Sequence, residues 1–133
     1  MKCRTAVFRR RDKLVVVSWT GGFANTYCIA LPVEVAPQEL ETAVLDGLAA
    51  SDVAPQDRGS ATPPHARILG FKSWHGFARG AVEVLISTED GRTFTLRPAI
   101  GPDFASLPDR VEVVADPSGE ELGSAILALL KSL

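Results

Sequence analysis

Cys3, Cys28, His65 and His75 are the side chains of this 133-residue chain best suited to act as nucleophile, base or metal ligand. A thiol becomes a nucleophile when a helix N-terminus, a cationic cluster or a partnered histidine stabilises its thiolate. Cys3 and Cys28 instead lie in apolar, strand-like stretches, with no local arrangement that would activate them. Free, buried thiols are the expectation, ahead of a disulfide between them. Two histidines ten residues apart and two cysteines 25 apart match no metal-ligand spacing. The adjacent carboxylates Glu120 and Glu121 open a helix, where the macrodipole explains them without chemistry. Gly21-Gly22 is turn punctuation, and neither a phosphate-binding loop nor a dinucleotide fingerprint is present. These residues point away from catalysis, so the chain reads as a non-enzyme with no cofactor and no metal.

Other polar and aromatic groups suit binding. Arg9, Arg10, Arg11 and Lys13 surround a hairpin turn, where they would touch a phosphate backbone or simply discourage edge pairing. The stretch GFKSWHGFARGAVEVLI, residues 70 to 86, sets Lys72, Trp74, His75 and Phe77 ahead of an apolar run. It is either a surface for a partner or a packed corner. A net charge of −2 and a pI near 5.6 argue against a protein that holds nucleic acid mainly by counterion release. The charged start MKCRTAVFRRRDKL lacks the apolar core of a signal peptide, and no apolar run approaches the ~20 residues of a membrane span. The expected location is the cytoplasm.

The elements that must position these groups repeat. In DPSGEELGSAILALLKSL, Leu122, Ala125, Ile126, Leu129 and Leu130 form one helical stripe, and Ser118 with Glu121 has capping-box spacing. Leu40, Ala43, Val44, Gly47 and Leu48 form the same stripe 82 positions earlier, after Pro37 in the first turn. Upstream of each helix come a hairpin, a loop with a phenylalanine, and a strand. The first hairpin turns at Asp12-Lys13 and the second at Asp90-Gly91. Alternation puts Val82, Val84, Ile86, Phe94 and Leu96 on one face, and Glu83, Ser87, Thr93, Thr95 and Arg97 on a wetter one. The expectation is an α+β fold with antiparallel sheet and two amphipathic helices, in which a β-β-β-α unit occurs twice about a pseudo-twofold axis. One domain spans 1–133, with half-repeats at 1–51 and 68–133 joined by an exposed Pro/Gly/Ser-containing linker, 52–67, in which His65 is solvated.

Lys72-Ser73-Trp74, Phe77, Gly80-Ala81, a valine-rich strand, an Asp-Gly turn, Pro98, Phe104 and the ending Ser118-Gly119-Glu120-Glu121-Leu122-Gly123 follow in the order of a known family. Over residues 69–133 the chain resembles the contact-dependent growth inhibition (CDI) immunity proteins. The resemblance implies a protein that binds and neutralises a toxin C-terminal domain of a large exoprotein, as a heterodimer. Such toxins are often nucleases directed at tRNA. It also implies a Whirly-like arrangement, and a monomer when no toxin is present. Lys72, Ser73, Trp74 and Phe77 are then structural, with a helical turn capped by Ser73 aiming Trp74 and Phe77 at the core. The candidate toxin contacts are Glu83, Asp90, Asp103, Asp109, Glu112 and Asp116. The alternative is a single-stranded nucleic-acid-binding module using the Arg9–Lys13 patch with Trp19, Phe23 and Trp74.

Overall fold

A computed structural model describes residues 2–133. Its first unit runs β1 (Cys3–Arg10), β2 (Lys13–Thr20), β3 (Phe23–Pro32) and α1 (Pro37–Ala50). Two short helices follow, α2 (Pro64–Arg67) and α3 (Trp74–Ala78). The second unit holds β4 (Val82–Thr88), β5 (Thr93–Ile100), β6 (Ala105–Ser106), β7 (Glu112–Ala115) and α4 (Glu121–Lys131). The fold is α+β, with one seven-stranded antiparallel sheet.

β1 and β4 lie side by side at its centre, pairing Ala6 with Leu85 and Val7 with Val84. β2 and then β3 extend the sheet beyond β1, while β5 and then β7 extend it beyond β4. The two β-β-β-α units are therefore related by an approximate twofold running between β1 and β4. β6 breaks the correspondence by taking the last two residues of β5, leaving β7 the first four. The first turn falls at Arg11-Asp12, one residue earlier than the composition suggests, because Arg10 pairs with Lys13. Arg11 takes the left-handed conformation there, at φ 58°.

Alternation along each strand separates two cores. On the helix side, Val7, Leu14, Val16, Val84, Ile86, Phe94 and Leu96 meet Leu40, Val44 and Leu48 of α1 and Leu122, Ile126 and Leu130 of α4. Glycine sets how closely these layers approach. A Cβ on Gly47 would press on the Thr5 side chain, and one on Gly123 would run into the Pro37 carbonyl where α4 crosses the start of α1. At the head of α4 only half of a capping box forms. The Glu121 carboxylate accepts from the Ser118 amide at 3.3 Å, but the Ser118 hydroxyl donates to that carboxylate at 2.8 Å and caps no amide.

The opposite face is where the sequence reading needs correction. The 52–67 segment is not a free linker, and His65 is not solvated. Backbone bonds Thr26 N–H to Pro55 O at 3.0 Å and Asp57 N–H to Ala24 O at 2.9 Å lay its first part along β3. Residues 58–61 are exposed, but α2 then buries Pro64, His65 and Ala66 against the sheet. His65 is 2% exposed and stacks on Phe8, with ring centroids 4.7 Å apart. Trp19, Trp74 and Phe77 present ring edges to it at 6.2, 5.4 and 5.5 Å. Ser73 caps α3 by accepting from the Gly76 amide at 3.1 Å, and Phe77 is completely buried. The small residues and prolines of 52–67 carry no apolar period, because backbone bonds and one imidazole do the docking.

Arg9 and Arg10 fasten the two layers to the sheet. Being consecutive on β1, they point to opposite faces. Arg9 donates through Nη1 to Leu130 O at 2.6 Å and through Nη2 to Leu133 O at 3.3 Å, closing the C-terminal end of α4. Arg10 donates through Nε to Phe77 O at 3.0 Å and lies over the Phe71 ring at 5.0 Å. Removing Arg9 strips a charged donor from carbonyls that have no other partner side chain. Arg9→Ala is expected to lower stability by about 1.5–3 kcal/mol in urea unfolding. An unchanged midpoint would show that water caps this helix equally well.

Candidate partner-binding surface

The two thiols lie on opposite faces of the sheet. Cys3 packs into the helix-side core and Cys28 into the opposite one, so the sheet separates two free thiols. Burial pushes the Cys28 thiol up to about 12, far from a reactive thiolate. Burial also pulls His65 down to about 4, and both of its ring nitrogens lack a hydrogen-bond partner, as does Trp19 Nε1. No three His, Cys, Asp or Glu side chains converge among the described residues. No helix there is long and apolar enough to cross a membrane.

Charge, by contrast, is organised. Residues 34–57 hold six carboxylates and no Lys or Arg, while 103–121 hold six carboxylates and one Arg. Residues 58–79 hold four Lys or Arg and no carboxylate, and 2–13 hold six against Asp12. One ion pair, Arg67 with Asp57 at 2.7 Å, forms among the described residues. The signs are thus segregated by segment along the chain rather than neutralised pairwise.

Carboxylates border grooves between α4 and the edge strand β7. Val114, paired with the helix-side Phe94, lines with Ser124, Ala125, Glu120 and Glu121 a cavity of about 530 Å³. Val113, paired with Thr95, alternates to the other face and is 63% exposed. Below the cavity, Asp109, Glu112 and one cation, Arg110, join Val111, Ala128 and Leu129 around about 310 Å³. Asp116 and Glu41, with Arg92 between the two strands of the β4–β5 hairpin, border a third cavity, about 280 Å³, that includes Leu45 and Phe94. Carboxylates outnumber cations two to one around each of the last two grooves and stand alone around the first, an acidic excess that complements a basic surface.

The six sequence candidates divide. Asp109, Glu112 and Asp116 lie along this helix-side rim. Asp90 is the cap of the β4–β5 turn, where it accepts from the Arg92 and Thr93 amides at 2.8 and 2.9 Å, and these bonds hold its carboxyl below its usual range. Asp103 is exposed in the turn before β6, beside Phe104, which packs edge-on to Phe8 on the other side of the sheet. Glu83 does not face outward. It sits half-buried between Phe8 and Ala99, and desolvation raises its carboxyl to about 7. Alternation alone assigned it to the wetter face, but Phe8 and Phe104 make that part of the face apolar. Lys72 and His75 are exposed at the margin of the aromatic cluster, and Trp74 packs within it. The grooves beside β7 were not legible in the sequence, since only the pairing of Val114 with Phe94 brings β7 alongside α4.

No family model matches the chain. No curated protein matches it in sequence. Its fold is similar to a protein of unknown function, NMB0488, from Neisseria meningitidis, at 16% identity, covering 99% of this chain and 94% of that one with a TM-score of 0.70. It is equally similar to a chain of the CdiA-CT/CdiI toxin and immunity complex from Yersinia pseudotuberculosis, at 15% identity, 99% and 97% coverage and a TM-score of 0.70. At such identities the likeness is one of fold, shared along the whole chain.

Proposed function

We propose that this protein is an immunity protein that neutralises a toxin domain, acting as a stoichiometric binder rather than an enzyme. The observation that carries the reading is the excess of carboxylates over cations around the grooves beside α4 and β7. Its fold likeness to a chain of a toxin–immunity complex supports the same reading. The target is a nuclease domain, because a cleft that binds tRNA or other RNA is basic and complements this surface. The toxin docks over α4 and β7, and the protein is monomeric and cytoplasmic until it does. The 1–133 chain acts as one domain, since the 52–67 segment is stitched to the first unit and carries α2 onto the sheet.

The nucleic-acid reading is weaker. Trp19 and Trp74 lie in the aromatic cluster rather than on a surface where bases would stack, and Arg9 and Arg10 are occupied with helix-end carbonyls. The test is association with the proposed partner, an exoprotein toxin domain taken from a neighbouring gene. The triple variant Asp109→Lys, Glu112→Lys, Glu120→Lys should slow association about tenfold or more and flatten its salt dependence. Stability should fall by only the ~0.3–1 kcal/mol that a cation at the start of α4 costs. An unaltered rate would remove the acidic rim from the interface.

A further inference from the structure

The cover on the other face of the sheet leaves a second, oppositely charged concavity. Arg10, Arg11 and Lys13 of the first hairpin meet Ile68, Leu69 and Phe71 around a cavity of about 380 Å³, and Ala30 and Asp12 complete its lining. Three cations against one carboxylate make it basic, and Ile68, 45% exposed, makes its floor apolar. We propose that this pocket is a docking site for a protein segment in which an apolar side chain is flanked by carboxylates. The site goes beyond toxin binding and stands on different residues.

Three features favour that occupant. The pocket is pre-formed, because Arg10 is fixed by its bond to Phe77 O at 3.0 Å and by the Phe71 ring beneath it. Arg11 and Lys13 are exposed and form no ion pair among the described residues, so their charge is available to a partner. The volume suits a large side chain entering with its backbone outside. A nucleic-acid strand fits less well. The Phe71 face already holds a guanidinium, leaving no free ring for a base, and Asp12 would oppose a phosphate.

The experiment is fluorescence anisotropy of the full chain with a labelled hexapeptide carrying a Phe-Leu pair between paired acidic residues. Saturable binding at micromolar concentrations is expected. It should weaken about tenfold in Arg11→Glu/Lys13→Glu, on an exposed turn, and comparably in Ile68→Ser, with each variant unfolding at the wild-type midpoint. A peptide whose Phe-Leu pair is replaced by Gly-Gly should not bind. The Asp109→Lys/Glu112→Lys/Glu120→Lys protein should bind the peptide undiminished, which separates this site from the toxin surface. Lack of saturation, equal binding of the Gly-Gly peptide, indifference to charge reversal at Arg11 and Lys13, or preferential binding of an oligothymidylate that displaces the peptide would each overturn the assignment.

Discussion

Replacing Phe77 by alanine is expected to cost about 3–5 kcal/mol, enough to consume much of the stability of a domain this size. Phe77 is fully buried, and its ring meets Phe8, His65, Phe71 and Trp74 at centroid distances of 5.4 to 5.8 Å. It touches both the sheet, through Phe8, and α2, through His65. Truncation leaves a cavity that aromatic neighbours fill poorly, because α3 is a single turn held by its Ser73 cap and by Arg10. The loss should therefore appear as early detachment of residues 62–80, seen as faster amide exchange there, together with a lower urea midpoint. Phe77→Leu should recover more than half of the stability. A cost below about 1 kcal/mol would mean that this cover is not anchored at Phe77.

The second large effect is a dependence on pH hidden by compensation. His65 is pulled down to about 4 from its ordinary 6.5, so on acidification the unfolded chain takes up a proton before the folded one does. Its contribution is present above pH 6.5 and is lost as pH falls to 4. Glu83 is raised from 4.5 to about 7, so the folded chain keeps a proton that the unfolded chain has released. Its contribution is present below pH 4.5 and is lost as pH rises to 7. The two slopes oppose each other, and from this pair the wild-type profile between pH 4.5 and 6.5 is nearly flat. Glu83→Gln leaves the His65 slope alone, and stability should then fall by about 3 kcal/mol between pH 7 and pH 4. The same variant should be about 1–3 kcal/mol more stable than wild type at pH 7, less than the full shift because Glu83 still touches solvent. His65→Phe should tilt the profile the other way. Parallel profiles for wild type and both variants would show that neither group is desolvated.

Much of this architecture is legible in the residues, and the exceptions share a cause. The stripes Leu40 to Leu48 and Leu122 to Leu130 sit against a sheet whose inward positions, Val82 to Ile86 with Phe94 and Leu96, follow strict alternation. Those segments bury one face each, so period and burial coincide. Residues 52–67 follow no period, since their docking relies on backbone bonds to Ala24 and Thr26 and on one stacked imidazole. Glu83 fails for a related reason. Alternation tells which side of the sheet a residue occupies, but not that Phe104, which takes φ 50° in a later turn, comes to rest against Phe8 beside it. Ser118 shows the limit of a two-residue motif, because its hydroxyl has a carboxylate within reach and donates to it instead of capping an amide. Of the surface candidates, Asp109, Glu112 and Asp116 gather beside α4 and α1, while Asp90 closes its own turn.

Titration calorimetry of the purified chain against its proposed partner, an exoprotein toxin domain taken from a neighbouring gene, with toxin activity followed in the same mixtures, tests the central claim most directly. The account predicts one-to-one binding that abolishes toxin activity at equivalence and weakens steeply with added salt. Absence of heat and of inhibition at micromolar concentrations, or inhibition by trace amounts of the chain through turnover, would contradict it.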